Sequence, residues 1–547
     1  MENVKEIPYG VANFVEVTEQ NMYYVDKTMY LPLLEKQPRS LFFIRPRRFG
    51  KSIFLSMLRA YYDIAQKEKF ETRFGNLWVG SHPTPLQGKF QILYLDFSRA
   101  SGGSGSLSEN FDRYCSMVMD VFGRVYEPYY FPGFGEKMEE QPDFVSKLNY
   151  LNLHAADYGA QLYLIVDEYD NFTNQLLTSY NDPLYEKVTT ADSFLRTFFK
   201  VIKKGIGEGS IRTCFCTGVL PVTMDDLTSG YNIAEILTLE SDFINMLGFT
   251  HAEADAYLRY VLDKYTGSQE RYDEIWQLIV NNYDGYRFSP KGEKLFNATI
   301  LTYFLKKFAV NKGEVPEEMI DENLRTDIGW LRRLTLSLEN SKAMLDALVI
   351  DNGLYYNVAD LSSKFNKQKF FDKNFYPVSL FYLGMTTLQN NFRMALPNLT
   401  MRSIYMDYYN VLNRIDGGAN RYVPTYERFV DERDFESLVR NYFEQYLGQF
   451  PAQVFDKINE NFIRCSFFEL VSRYLSSCYT FAIEQNNSEG RADFEMTGIP
   501  GTDYYTDDRL VEFKYYKAKE AEKMLASDAP LTEHLEPVLR YAEDTLR

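Results

Sequence analysis

Three short stretches of this 547-residue chain carry residue types at spacings suited to phosphate chemistry. The first is Gly50-Lys51-Ser52, preceded by Arg45-Pro46-Arg47-Arg48-Phe49. A glycine, a lysine and a hydroxyl at a helix start offer backbone N–H groups to an anion, an ammonium to the β/γ oxygens and an oxygen ligand to Mg²⁺. Arg47, Arg48, Phe49, Gly50, Lys51 and Ser52 are therefore the candidate phosphate-binding residues, and the loop 45–51 is expected to face phosphate. The first glycine of the GxxxxGK[ST] pattern is missing. Arg45 stands in its place, and Pro46 stiffens the loop.

The second stretch is Asp167-Glu168, closing the apolar run 162–166. Asp167 would hold Mg²⁺ through water, and Glu168 would polarise the attacking water; phosphoryl transfer needs mainly this positioning and charge neutralisation. Thr217, at the end of another apolar run, is the candidate sensor of the γ-phosphate. Arg47, Arg48 and Arg287 are candidate trans or lid arginines, weighed against ordinary structural ion pairs. The third stretch holds Asp493, Glu512 and Lys514. Residues two apart on a strand share a face, so Glu512 and Lys514 point together, with Val511 and Phe513 opposite. Asp493 opens the preceding strand of a hairpin. Two carboxylates can bind Mg²⁺ and so activate water against a phosphodiester, while the lysine orients the nucleophile or neutralises charge. A bare GKS, an Asp-Glu pair or an Asp…ExK pattern is common in isolation. For the first two, their order and their placement on strands carry the reading.

The elements that must position these residues are legible as apolar runs. Residues 41–44, 90–97, 162–166 and 211–217 predict buried strands, separated by helical patterns such as 52–62 and 193–204. Strands alternating with helices predict a parallel sheet with helices on both faces. The small-residue tract 100–108 predicts a flexible loop. After about Gly248 the texture turns helical, with Thr250 as a helix cap, until about residue 430. Strand-like runs return at 479–483, 493–496 and 510–516, between helices at 462–475 and 518–526.

Length allows about three to five domains. Hydrophobic residues are 45% and charged residues 25%, which excludes a disordered chain. The balance of 59 Lys+Arg against 76 Asp+Glu gives −17 and excludes a uniformly basic nucleic-acid coat, though not a local basic site. Five scattered cysteines with no CxxC, and four scattered histidines, argue against a disulfide framework or a zinc site. No signal peptide is expected at the N-terminus and no membrane span in the uncharged stretch 374–392, so the expected location is cytoplasmic.

The stretches IPYGVANFVEVTEQNMYYVDKT (7–28), FIRPRRFGKSIFLSML (43–58), YLIVDEYDN (163–171), TGVLPVTMDDLTSGYNI (217–233), MLGFT (246–250) and YDGYRF (283–288) resemble the AAA-ATPase-like domain of bacterial proteins that fuse this NTPase to a PD-(D/E)XK nuclease-like domain. The arginine-rich loop looks like that family's own version. The tail, with Gly490-Arg491-Ala492-Asp493 and Glu512-Phe513-Lys514-Tyr515, resembles the fused nuclease domain. The resemblance implies a P-loop core of the AAA/STAND kind over 1–247 with an N-terminal leader, and a helical lid over 248–300. It further implies a helical linker over 301–434 with a winged-helix-like element, and an α+β restriction-endonuclease-like domain over 435–547. It implies ATP as the nucleotide; a GTP reading has little support, because no NKxD base-reading motif is present. It also points to Glu469 as the nuclease fold's first acidic residue, with Glu484 a minor candidate. Related domains often carry a glutamine near 535–546, where Pro537 stands here. The expected function is an ATP-binding and ATP-hydrolysing protein coupled to Mg²⁺-dependent cleavage of DNA or RNA. The alternative is a STAND-like switch that binds ATP, forms a homo-oligomer and uses its C-terminal domain to hold a partner or nucleic acid without cutting.

Overall fold

The structure is a computed structural model and describes residues 4–100, 106–172, 193–221, 233–316, 318–321, 324, 341–362, 367–370, 372, 374–487, 490–499, 502–516 and 518–526. The stretch around Pro537 and the side chain of Glu484 lie outside what it describes.

The first half is built on five parallel strands: β1 (Ser40–Ile44), β2 (Gln91–Asp96), β3 (Leu162–Asp167), β4 (Ile211–Gly218) and β5 (Glu235–Ile236). Their spatial order is β2-β3-β4-β1-β5. Every residue of β1 and β3 is buried, as expected for parallel strands covered on both faces, and this is why they read as unbroken apolar runs. β4 lies between the strands that carry the Gly-Lys-Ser loop and the Asp-Glu pair, with Phe43 beside Thr217 and Val166 beside Cys216. The order brings the C-terminal ends of β1, β3 and β4 side by side, where open α/β sheets bind ligands.

Helices α1 (Lys51–Tyr62), α2 (Leu107–Tyr126), α3 (Phe144–Asp157) and α4 (Phe194–Glu208) accompany this sheet. Helix α1 packs on β3, α2 on β2, and α4 on β4. The predicted loop at 100–108 ends early: Ser106 caps α2 through a reciprocal capping box with Glu109, so residues 107 and 108 are helical. The aromatic content appears as interlocked rings, with Phe111 meeting Phe97, Phe144, Phe194 and Phe198.

Helices α5 (His251–Val261), α6 (Tyr272–Tyr283) and α7 (Ala298–Val310) follow. Thr250 caps α5 as expected, in a capping box with Glu253. The middle region is less purely helical than its sequence texture implies. It contains a small antiparallel sheet of β6 (Leu354–Tyr355), β7 (Thr387–Leu388) and β8 (Arg393–Ala395), in the order β6-β8-β7. These strands are two or three residues long, too short for an alternating pattern. Helix α8 (Leu399–Leu412) then leads, through further helices, to α9 (Glu460–Leu475).

The last unit is an antiparallel sheet of β9 (Tyr479–Asn487), β10 (Gly490–Gly498) and β11 (Arg509–Val511), followed by α10 (Ala518–Leu525). The expected third strand at 510–516 ends at Val511, because no further ladder partner lies beside residues 512–516 among the described residues. The hairpin strands are longer than expected, and Asp493 lies inside β10 instead of opening it. No helix among the described residues is long and apolar enough to cross a membrane.

Candidate nucleotide-binding and nuclease-like sites

The loop after β1 turns into α1 through Gly50, which caps the helix at φ 90°. That left-handed conformation is nearly free for glycine and costly for other residues, which accounts for glycine before Lys51. Arg48 takes the same left-handed region at φ 71°. Lys51 is buried, and its Nζ donates to the carbonyls of Arg45 and Pro46 at 2.9 Å each. Burial lowers its pKa, against the raising influence of Glu168 and Asp167.

Asp167 is the hub of the site. Ser52 Oγ donates to its Oδ2 at 2.7 Å, and Thr217 Oγ1 donates to its Oδ1 at 2.7 Å. Tyr94 OH reaches Oδ2 at 3.4 Å. Three strand ends and the start of α1 thus converge on one carboxylate. Glu168 follows in the left-handed region at φ 50°, its N–H donating back to Asp167 Oδ1 at 3.0 Å. Its carboxyl is pushed above the usual range, first by burial and then by Asp170. A carboxyl so tuned is suited to proton handling. Ser52 and Asp167 present oxygen donors alone, the set that a hard cation such as Mg²⁺ takes.

The remaining loop residues divide. The Arg47 carbonyl accepts from Asn297 Nδ2 at 3.2 Å, and its charge acts on Lys51 and Glu168. Arg48 faces Asp321 at 3.8 Å. The Phe49 ring is buried edge-on against Tyr286 and Phe288, so its backbone alone is placed to serve a ligand. Arg45 corrects the expectation that the whole loop 45–51 faces phosphate. Its side chain is fully buried, donating to the carbonyls of Thr238 at 2.8 Å and Ile244 at 3.0 Å. It also lies over the rings of Phe43 and Phe288 at 4.5 and 3.9 Å. Burial pulls its pKa down to about 9. Arg287 turns toward the middle region instead, its N–H donating to Thr387 Oγ1 at 2.7 Å and its guanidinium to the Gln389 carbonyl at 3.4 Å.

Two further features had no sequence signal. A largely apolar cavity of about 310 Å³ opens beside Gly50, lined by Tyr9, Val11, Ile53, Phe249 and Thr302. Its walls, from residues 8–12 to residues 298–302, are far apart in sequence. Asp170 accepts from the N–H groups of Val219 and Leu220, the latter at 2.7 Å, and so ties the end of β4 to the Asp167 turn.

In the C-terminal unit, Phe494 pairs with Val511, so the antiparallel register continued by one residue sets Asp493 opposite Glu512. The Asp493 N–H donates to Glu512 Oε1 at 3.3 Å. The Glu512 carboxyl is pushed up to about 7 by burial and by Asp493, with Lys514 opposing. Lys514 is exposed, and the Phe513 ring packs inward on Phe467, as the strand alternation predicts. The two carboxylates and the lysine are thus brought together. Both carboxylates are oxygen donors suited to a hard cation, which keeps waters in its remaining positions; among the described residues no group of three or more His, Cys, Asp or Glu is placed to hold a metal ion.

Glu469 does not join them. It is buried against α8, taking Asn410 Nδ2 at 3.3 Å and the Arg473 guanidinium. The residue that does reach Asp493 is Arg464, five positions earlier on α9, with Nη1 at 2.6 Å from Oδ1. No local pattern in the sequence singles it out.

Residues 8–228 match the family model described as a predicted AAA-ATPase, and residues 458–546 match the PD-(D/E)XK nuclease superfamily. An uncharacterized protein in the vnfD 5′ region of Azotobacter chroococcum mcd 1 is 25% identical over 322 residues, covering 55% of this chain and 52% of that protein. The chain thus spans about half the length of this curated relative. No solved structure matches the chain. The chain joins an N-terminal AAA-ATPase-like domain to a C-terminal PD-(D/E)XK nuclease superfamily domain.

Proposed function

We propose that this chain binds and hydrolyses ATP at the Gly50–Ser52 loop and cleaves nucleic-acid phosphodiesters at Asp493, Glu512 and Lys514. The observation that carries the first half is Asp167 held between Ser52 Oγ and Thr217 Oγ1, both at 2.7 Å, at the ends of neighbouring parallel strands. Residues 1–247 would form the nucleotide-binding core, 248–300 its lid, 301–434 a connector and 435–547 the cutting domain.

The geometry supports a role for each of these residues. Backbone N–H groups at the start of α1 face the phosphates, and Lys51 leaves the Arg45 and Pro46 carbonyls to neutralise the β/γ oxygens. Thr217, at the end of β4 beside Asp167, would meet the terminal phosphate. Glu168 orients the attacking water and accepts its proton. The apolar cavity beside Gly50 is of a size and character that takes a base. In the C-terminal unit, Glu512 and Asp493 present adjacent oxygens, and Lys514 offers a positive charge to the scissile phosphate. Mg²⁺ bound by Ser52 and Asp167, or by Asp493 and Glu512, would supply charge neutralisation and an activated water.

The test is a cleavage assay on single- and double-stranded DNA and RNA with Mg²⁺ or Mn²⁺, with and without ATP. Asp493→Ala is expected to abolish cutting and leave ATP binding intact; Lys51→Ala is expected to lose ATP binding. Metal-dependent cutting of none of these substrates would overturn the nuclease half. Nucleotide-dependent assembly with metal-independent nucleic-acid binding would then favour the switch.

A further inference from the structure

Both oxygens of Asp493 already have partners. Oδ1 takes the guanidinium of Arg464 at 2.6 Å, and Oδ2 takes the backbone N–H of Phe513 at 3.0 Å. The ion pair is buried, with side chains 10% and 11% exposed. Away from Asp493, α9 is fastened to its neighbours. Arg402 donates to Cys465 Sγ at 3.2 Å, Arg473 reaches Asp407 at 2.5 Å, and Tyr442 shares a hydrogen bond with Ser466 at 2.6 Å. The guanidinium is therefore held where it is by a helix with little freedom to drift.

A divalent cation needs an open carboxylate lone pair at about 2.0–2.1 Å for Mg²⁺. A guanidinium on the same oxygen takes one of its two lone pairs, crowds the other, and repels the ion across a few ångströms of poorly solvated space. A buried aspartate without a cation is costly, so the arginine also stabilises the metal-free form.

We propose that Arg464 is a built-in competitor for the metal: it occupies Asp493 in the metal-free protein and must release Oδ1 before a divalent ion is bound. The inference rests on the reading of Asp493 and Glu512 as metal ligands. It makes the nuclease-like site closed by default, with Arg464 as its gate. A merely supporting arginine, one that holds Asp493 ready for the metal, would act in the opposite direction.

The two are separated by Mn²⁺ titration of the nucleotide-free, full-length protein, followed by electron paramagnetic resonance. The component lost in Asp493→Asn defines the site. Arg464→Gln removes the charge and is expected to bind Mn²⁺ at least about tenfold more tightly at that site, because the like charge is gone. Arg464→Lys keeps the charge and should stay close to the parent. Melting in EDTA reports whether each variant is folded, and Arg464→Met replaces the glutamine variant if that one is not. Equal or weaker Mn²⁺ binding on loss of the charge overturns the competition while leaving the metal site standing. Absence of any Asp493-dependent Mn²⁺ binding in both the parent and the neutral variant overturns the metal-ligand reading, and the competition with it.

Discussion

Glu469 is 3% exposed, with Arg473 on one carboxyl oxygen and Asn410 on the other. Burial nevertheless dominates and pushes its carboxyl up from 4.5 to about 8, against Arg473. The folded protein therefore holds this proton more tightly than the unfolded chain. Its contribution to stability is fully present below about 4.5 and is lost as the pH rises through about 8. Glu512 acts with the same sign over the narrower window from 4.5 to about 7. Glu469→Gln removes the first contribution and leaves the second. The melting temperature of this variant, followed from about pH 5 to about pH 8, is expected to fall less steeply than that of the parent. An unchanged slope would count against a buried, proton-holding Glu469. The same burial sets this residue, which the resemblance pointed to as the nuclease fold's first acidic residue, as a link between helices.

At the scale of elements, Arg45, which departs from the glycine-rich pattern, and its neighbour Pro46 both contact parts of the fold beyond the loop. Arg45 lies over Phe288 at 3.9 Å, and the Phe288 ring meets Phe381 edge-on. Pro46 is packed against Gly384, which sits at φ 76°; a Cβ there would stand 2.6 Å from Pro46 Cβ. Gly384→Ala is thus expected to displace the loop that positions Lys51. Lys51 would then be carried off its place facing the β/γ oxygens, so nucleotide affinity should fall by at least about tenfold in a folded protein, about 1.4 kcal/mol. Calorimetric titration with an ATP analogue measures this, and parent-like affinity would show that the loop tolerates the push. Such contacts mark the limit of the sequence. The strands β1 and β3 were legible because two-sided burial demands unbroken apolar residues, and the meeting of Ser52 with Asp167 because both follow such runs. Arg45 reads there as a loop cation, since only tertiary packing shows it facing inward. Arg464 and the three short strands of the middle region were illegible for the same reason, having no periodicity or motif of their own.

Across the whole molecule, a continuous series of contacts runs from the Gly50–Ser52 loop to the C-terminal nuclease-superfamily domain. The Phe49 ring packs on Tyr286 and Phe288, just beyond α6. Asn398, which caps α8, donates to the Asp284 carbonyl at the end of α6 at 2.8 Å. Helix α8 then holds α9 through Asp407 and Arg473 at 2.5 Å, Asn410 and Glu469, and Arg402 and Cys465. Arg464 on α9 reaches Asp493. Arg473 is the one cation among these links that bridges both Asp407 and Glu469, so Arg473→Met tests whether the two halves melt as one unit. The parent is expected to unfold in a single calorimetric transition. The variant leaves one oxygen of a buried acid without its donor, at a cost of about 1–3 kcal/mol, reduced because the Arg473 side chain is 33% exposed. This loss falls on the α8–α9 contact and spares the nucleotide-binding sheet. A lower-temperature transition of the C-terminal half should therefore separate from that of the N-terminal half, with ATP raising the second alone. If the variant still melts in one step and ATP raises the whole of it, the halves are joined by contacts other than this one.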